Sequence, residues 1–274
     1  MTTTRLQIPF RRTSARSQAI LLASTLVLWS IPAPAQAPPE RLGDKDVKIL
    51  VDQIDESRDK FEGNLDGEFK GSTVTGANGE IKVAAALQDY QDNTQKLQSR
   101  FSSEYAAGPE VATVLKQATS IDRFMKGSPS TMKGRREWDR HEADLTRLAQ
   151  VYGTTFPLPD GATVSRLNDS EAIAAADGVA ASADNFKRDL NDAKSLPKAD
   201  KEAARKDADV LIKQANTVKE RIRDGKPATS DVRLLGEHAA RLQTFVGAHQ
   251  VPTANWQAAQ ASLGKLQEIF GLTK

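Results

Sequence analysis

Residues 138–153 read WDRHEADLTRLAQVYG, and residues 256–271 read WQAAQASLGKLQEIFG. Set at an offset of 118, Trp138 meets Trp256, Leu145 meets Leu263 and Leu148 meets Leu266. Val151-Tyr152-Gly153 then meets Ile269-Phe270-Gly271. In each stretch the apolar residues recur at three- and four-residue steps, the stripe of an amphipathic helix. Gly153 and Gly271 sit where a left-handed helix cap is expected. Amphipathic helices resemble one another easily, so periodicity alone would say little. A shared Trp at the head and a shared Gly at the end say more.

The correspondence extends backwards from this helix. At an offset of 121, Val111, Ile121 and Phe124 meet Val232, Leu242 and Phe245, and Tyr90, Leu97 and Phe101 meet Leu211, Val218 and Ile222. At 125, Arg41-Leu42 meets Arg166-Leu167, Asp44 meets Asp169, Phe61 meets Phe186 and Leu65 meets Leu190. Small drifts in offset are what loop-length changes after a tandem duplication produce. A rival shift of 97 aligns Lys116-Gln117-Ala118 with Lys213-Gln214-Ala215 but leaves Trp138 unmatched. The expected fold is all-α: two tandem four-helix units, antiparallel helical bundles, at 41–153 and 168–274, joined by a linker at 154–167. Asp44 and Asp169 are placed just before the first helix of each unit, as caps of its free amides. Pro109 and Pro197 suit helix starts. The Ala-rich helix 170–190 contains Gly178, so small residues there let a neighbour approach closely. Only Ser72 to Thr75 favours a strand, and it runs into a Gly-Ala-Asn-Gly turn signal.

The first 35 residues read as an export signal. Arg5, Arg11, Arg12 and Arg16 form a positive region, Ala19 to Ile31 an apolar run, and Ala33-Pro34-Ala35 an A-x-A cleavage signature. The apolar run is too short to span a bilayer comfortably. The expected mature chain starts at Gln36 with a short extended leader, 36–40, and works in the periplasm or as a secreted protein. Removing the four signal charges from the whole chain's +2 leaves −2. That gives no basis for nucleic-acid binding, which needs a basic face. No later segment is apolar enough for stable membrane insertion. The absence of cysteine rules out disulfides, thiolate metal sites, cysteine nucleophiles and covalent haem.

Chemistry-bearing motifs are sparse. His141, His238 and His249 are the only histidines. His141-Glu142 starts an H-E-x-x-H pattern, but Leu145 takes the second histidine's place. The duplicate of His141 is Ala259, so a structural histidine is the expected reading. S-x-x-K occurs at Ser57/Lys60, Ser130/Lys133, Ser195/Lys198 and Ser262/Lys265 without the further motifs a serine–lysine hydrolase carries. Asp55/Glu56 and Asp59/Glu62 read as a solvated helix face. Two loop features remain. One is a glycine-rich stretch with Gly67, Gly71, Gly76, Asn78 and Gly79, either an interaction loop or a connection such as a small hairpin. The other is a basic turn whose Lys133, Arg135 and Arg136 could contact an anion, although Glu137, Asp139, Glu142 and Asp144 follow and neutralise it locally. The expected function is a non-enzymatic binding or scaffolding protein of the cell envelope, with no cofactor and with a protein or envelope component as partner. The alternative is a metal-binding protein or metal-assisted enzyme using carboxylates with His141 or His238.

Overall fold

The computed structural model describes residues 40–76, 79–249 and 251–273. The expected export signal, most of the extended leader and Asn78 lie outside them. In chain order the elements are α1 (Asp44–Asn64), α2 (Gly67–Lys70), β1 (Thr73–Gly76), β2 (Gly79–Lys82), α3 (Val83–Arg100), α4 (Gly108–Gly127), α5 (Arg135–Val151), α6 (Asp169–Asp192), α7 (Lys198–Arg223), α8 (Thr229–Ala248) and α9 (Ala254–Ile269). Among the described residues the protein is all-helical apart from the antiparallel β1–β2 pair, which joins Thr73 to Lys82 and Gly76 to Gly79. Among the described residues, no helix is long and apolar enough to cross a membrane.

Amphipathicity determines the packing. The long helices close two rings: α1 contacts α3 and α5, and α4 contacts both of these. In the same pattern α6 contacts α7 and α9, and α8 contacts both. Each ring surrounds its own apolar core. The buried positions keep register between the rings. In α1 they include Val47, Leu50, Val51, Ile54, Arg58 and Phe61; adding 125 gives Ala172, Ala175, Ala176, Val179, Ala183 and Phe186, all buried in α6. In α3, Val83, Leu87, Tyr90, Thr94 and Leu97 correspond at 121 to buried Ala204, Ala208, Leu211, Ala215 and Val218 of α7.

The core of α6 is built mostly from alanine, so its neighbours come close. A methyl group at Gly178 would lie 2.6 Å from the Ser262 hydroxyl on α9. Gly178→Leu is therefore expected to push α6 and α9 apart and lower stability by about 2 kcal/mol, the usual scale of overpacking. Urea unfolding measures this, and an unchanged midpoint would show that the contact is loose.

The rings meet at a reciprocal clasp. Asp44 N–H donates to Asp169 Oδ2 at 2.8 Å, and Asp169 N–H donates to Asp44 Oδ2 at 2.8 Å. Arg41 bonds the Asp169 carboxylate and, at 2.9 Å, the Leu167 carbonyl. Arg166 bonds the Asp44 carboxylate and, at 2.9 Å, the Leu42 carbonyl. This corrects the expected capping. Asp44 and Asp169 are the first residues of their helices, not the residues before them, and each caps the other's helix. The caps in their own chain positions are Gly43 and Asn168, and Asn168 makes a capping box with Glu171. Two carboxylates facing across the junction would repel; the two guanidiniums balance them. The lead-in to α1 also reaches across. Glu40 Oε1 accepts from the Ala228 and Thr229 amides, both at 2.9 Å, at the start of α8. The Arg41 guanidinium lies 5.4 Å from the Phe270 ring centroid.

Candidate functional site

The glycine-rich stretch and the basic turn, far apart in sequence, come together at one end of the first ring. Gly67 opens the short helix α2, Gly71 follows it, and Gly76 and Gly79 end the paired strands. The stretch is thus a helical turn and a small hairpin. Phe69 of α2 stacks on Phe124 of α4 with centroids 5.1 Å apart, which fixes the hairpin's base to the ring. Gly134, at φ +84°, precedes α5; a methyl group there would lie 2.9 Å from Leu65 Cδ2. A side chain is therefore excluded both by backbone conformation and by the close approach of Leu65, just beyond α1.

An open depression of about 770 Å³ lies beside this end, lined by Asn64, Lys126, Ser128, Thr131, Lys133 and Arg136 among others. Most of its cations are already paired. Lys133 bonds Asp66 at 2.6 Å, and this holds its ammonium pKa above the ordinary lysine value. Lys126 bonds Glu142 at 2.8 Å and Asp122 at 2.9 Å, with the same effect. Arg135 pairs with Asp139 and also bonds the Met125 carbonyl. Arg136 lines the depression and makes no ion pair among the described residues. Of the four acids that follow the turn, Asp139 pairs with Arg135 and Glu142 with Lys126, while Lys133 is paired by Asp66, far away in sequence.

The second constellation is buried. His141 is 0 % exposed in the first core. Its Nδ1 lies 2.8 Å from Ser57 Oγ and its Nε2 lies 2.6 Å from Tyr90 Oη. One proton assignment satisfies every group: Tyr90 O–H donates to Nε2, Nδ1–H donates to Ser57 Oγ, and Ser57 O–H donates to the Ile54 carbonyl at 3.3 Å. Burial, with the nearby Arg58 charge, lowers the His141 pKa to about 3. Burial also raises the Tyr90 pKa. A general base at neutral pH needs a pKa near the working pH. His141 is instead a neutral link between α1, α3 and α5. Ser57 belongs to this hydrogen-bonded series, while the lysine of its S-x-x-K pair turns outward to Glu56 at 2.6 Å.

Asp55, Glu56, Asp59 and Glu62 of α1 lie exposed or half-buried on the helix face, but Arg58 among them does not. It is 1 % exposed, with Nη2 at 2.7 Å from Asp55 and 2.9 Å from Asp59, and Nη1 at 3.7 Å from Glu62. Three of the four acids named there gather round one buried cation. The sequence carried a faint signal for this: Arg58 stands four residues after Ile54 and three before Phe61, on the apolar stripe. His238 is half-buried and contacts Arg241, and both burial and that cation lower its pKa. His249 stacks on Phe245 with centroids 4.3 Å apart. The three histidines do not converge, and among the described residues no group of three or more His, Asp or Glu side chains is placed to hold a metal.

Compared with known protein families, characterised proteins and solved structures, the chain matches none.

Proposed function

We propose that this chain is an exported tandem of two four-helix units that acts as a non-enzymatic binding or scaffolding protein of the cell envelope, with its binding face at the α2–hairpin end of the first unit. The observation that carries the reading is that the two rings share one plan and differ most at that end. Trp138 is 0 % exposed and packs on Phe61 with centroids 5.0 Å apart; Trp256 is 1 % exposed and packs on Phe186 at 5.5 Å. Trp138 Nε1–H donates to Asp122 at 3.1 Å, and Trp256 Nε1–H donates to Gln243 at 2.6 Å. Gln243 stands 121 places after Asp122, the offset that relates their helices. Ser57 is matched by Ser182, whereas the matches of buried Tyr90, His141 and Arg58 are Leu211, Ala259 and Ala183. Polar core residues exchanged together for apolar ones are what divergence of a duplicated core leaves.

Between α6 and α7 the second unit has only residues 193–197, whereas between α1 and α3 the first has residues 65–82, with the hairpin and the adjoining depression. Loops that elaborate a fixed frame usually carry specificity. Export rests on the arginine, apolar and A-x-A order of residues 1–35. Intact mass of the exported form is expected to start at Gln36, and retention of Arg11 and Arg12 would defeat export with cleavage. For binding, residues 66–82 are replaced by 191–203 of the second unit. The exchange is expected to keep the helicity while abolishing partner capture by cross-linking in the native envelope. Unchanged capture would move the binding face elsewhere.

A further inference from the structure

The clasp between the rings has a symmetry that a junction between unlike domains does not need. Arg41 bonds Asp169, and Arg166 bonds Asp44. Arg41 bonds the Leu167 carbonyl, and Arg166 bonds that of Leu42. The Asp44 amide bonds Asp169, and the Asp169 amide bonds Asp44. Each of these six contacts reappears with the partners exchanged after a shift of 125 positions. That is the rule of an isologous interface, in which the same patch serves on both sides of a two-fold axis. The symmetry ends with these contacts, and the neighbouring ones differ between the two sides. Arg41 lies over the Phe270 ring, whereas Tyr152, the residue matching Phe270, donates its hydroxyl to the Ala106 carbonyl. The lead-in to α6 lies against the first ring, where Ser165 N–H donates to the Tyr152 carbonyl at 3.2 Å, while Glu40 of the lead-in to α1 caps α8 in the second ring.

A patch that is complementary to its own copy in the second ring carries all it needs to recognise itself. We infer that the Arg-Leu-x-Asp lead-in of each unit, at 41–44 and 166–169, is a self-recognition surface whose second partner is the same unit in another copy of this chain. Within one chain the two patches satisfy each other because the linker holds them together at high effective concentration. If the internal match is spoiled, each patch retains its complement in a second molecule. The inference rests on the tandem reading and needs neither export nor the hairpin face.

Charge exchange in one unit separates self-recognition from mere docking. In R41D/D44R the carboxylate placed at position 41 faces Asp169 and the guanidinium placed at position 44 faces Arg166, so the internal clasp becomes repulsive. Two copies of the altered unit still match in charge, because the position-41 carboxylate of one meets the position-44 guanidinium of the other, but they lack the carbonyl and amide bonds of the native clasp. The unaltered second units match each other as well. R41D/D44R, and separately its mirror R166D/D169R, are therefore expected to self-associate, with a mass by light scattering that rises with concentration above that of the wild-type chain. The fourfold variant R41D/D44R/R166D/D169R restores the two ion pairs of the internal clasp, though not its carbonyl and amide bonds, and at the linker's high effective concentration it is expected to show a lower mass than the one-sided variants. One-sided variants that stay at the wild-type mass, or that lose helicity without associating, overturn the inference. A fourfold variant that associates like the one-sided ones overturns it too. The tandem reading fails on a different result, second-unit helices that do not superpose in order on the first.

Discussion

Trp138→Ala and Trp256→Ala are each expected to unfold the ring that loses its indole. Both side chains are essentially buried, and each packs on the matching Phe of the first helix in its ring. Truncating such a residue removes packing and leaves a cavity, at about 3–5 kcal/mol. A domain's whole stability is roughly 5–15 kcal/mol. The Asp122 carboxylate also loses the indole donor, although Lys126 still holds it at 2.9 Å. In a protein beginning at Gln36 each variant retains one tryptophan, in the other ring, so fluorescence reports the surviving ring while circular dichroism reports both. Midpoints close to wild type for both variants would show that the Trp match is accidental.

Acid is expected to weaken the first ring before the second. A histidine free in the unfolded chain titrates near 6.5, whereas folded His141 is held to about 3. Below pH 6.5 the unfolded chain takes up a proton that the folded one refuses. The stability linked to this residue is thus fully present above pH 6.5 and is lost progressively as pH falls toward 3. Linkage puts the loss at about 2 kcal/mol by pH 5, and at about 5 kcal/mol once pH passes the folded value. Ser57 on α1 and Tyr90 on α3 face the ring nitrogens, and the nearest charge is Arg58, which further disfavours protonation. The double variant Y90L/H141A installs the second ring's residues at the matching positions and leaves Ser57, whose match is also serine, bonded to the Ile54 carbonyl. Its urea midpoint should depend much less on pH between 7 and 5. A slope equal to that of wild type would show that other groups govern the acid response.

The all-helical class and the eight long helices were legible because each helix repeats its apolar residues every three or four positions, and the buried sides are those stripes. A strand was legible at Ser72–Thr75, since little else in the chain favours one, but the glycines fitted an interaction loop as well as the hairpin. Three features were not legible, for a common reason. Arg58 goes unread among its acidic neighbours despite its place on the apolar stripe, because its burial is set by the helices packed against α1. Ser57 looked like chance spacing before Lys60, because its partner stands 84 residues away. Asp44 and Asp169 looked like ordinary caps, because periodicity carries no information about which helix start a carboxylate will face. Local pattern reports the face a residue occupies. It does not report the neighbour that face will meet.

The crossed arrangement of the lead-in has a consequence in time. A ribosome releases Glu40 and Arg41 ahead of α1, yet Glu40 is satisfied by amides 188 and 189 positions later. At about 5–20 residues per second, those partners follow roughly ten to forty seconds behind. Meanwhile α1 through α5 hold most of their own core contacts but have no cap at the Asp44 amide. The first ring therefore waits with its start frayed, and the last segments to be synthesised close the first ones made.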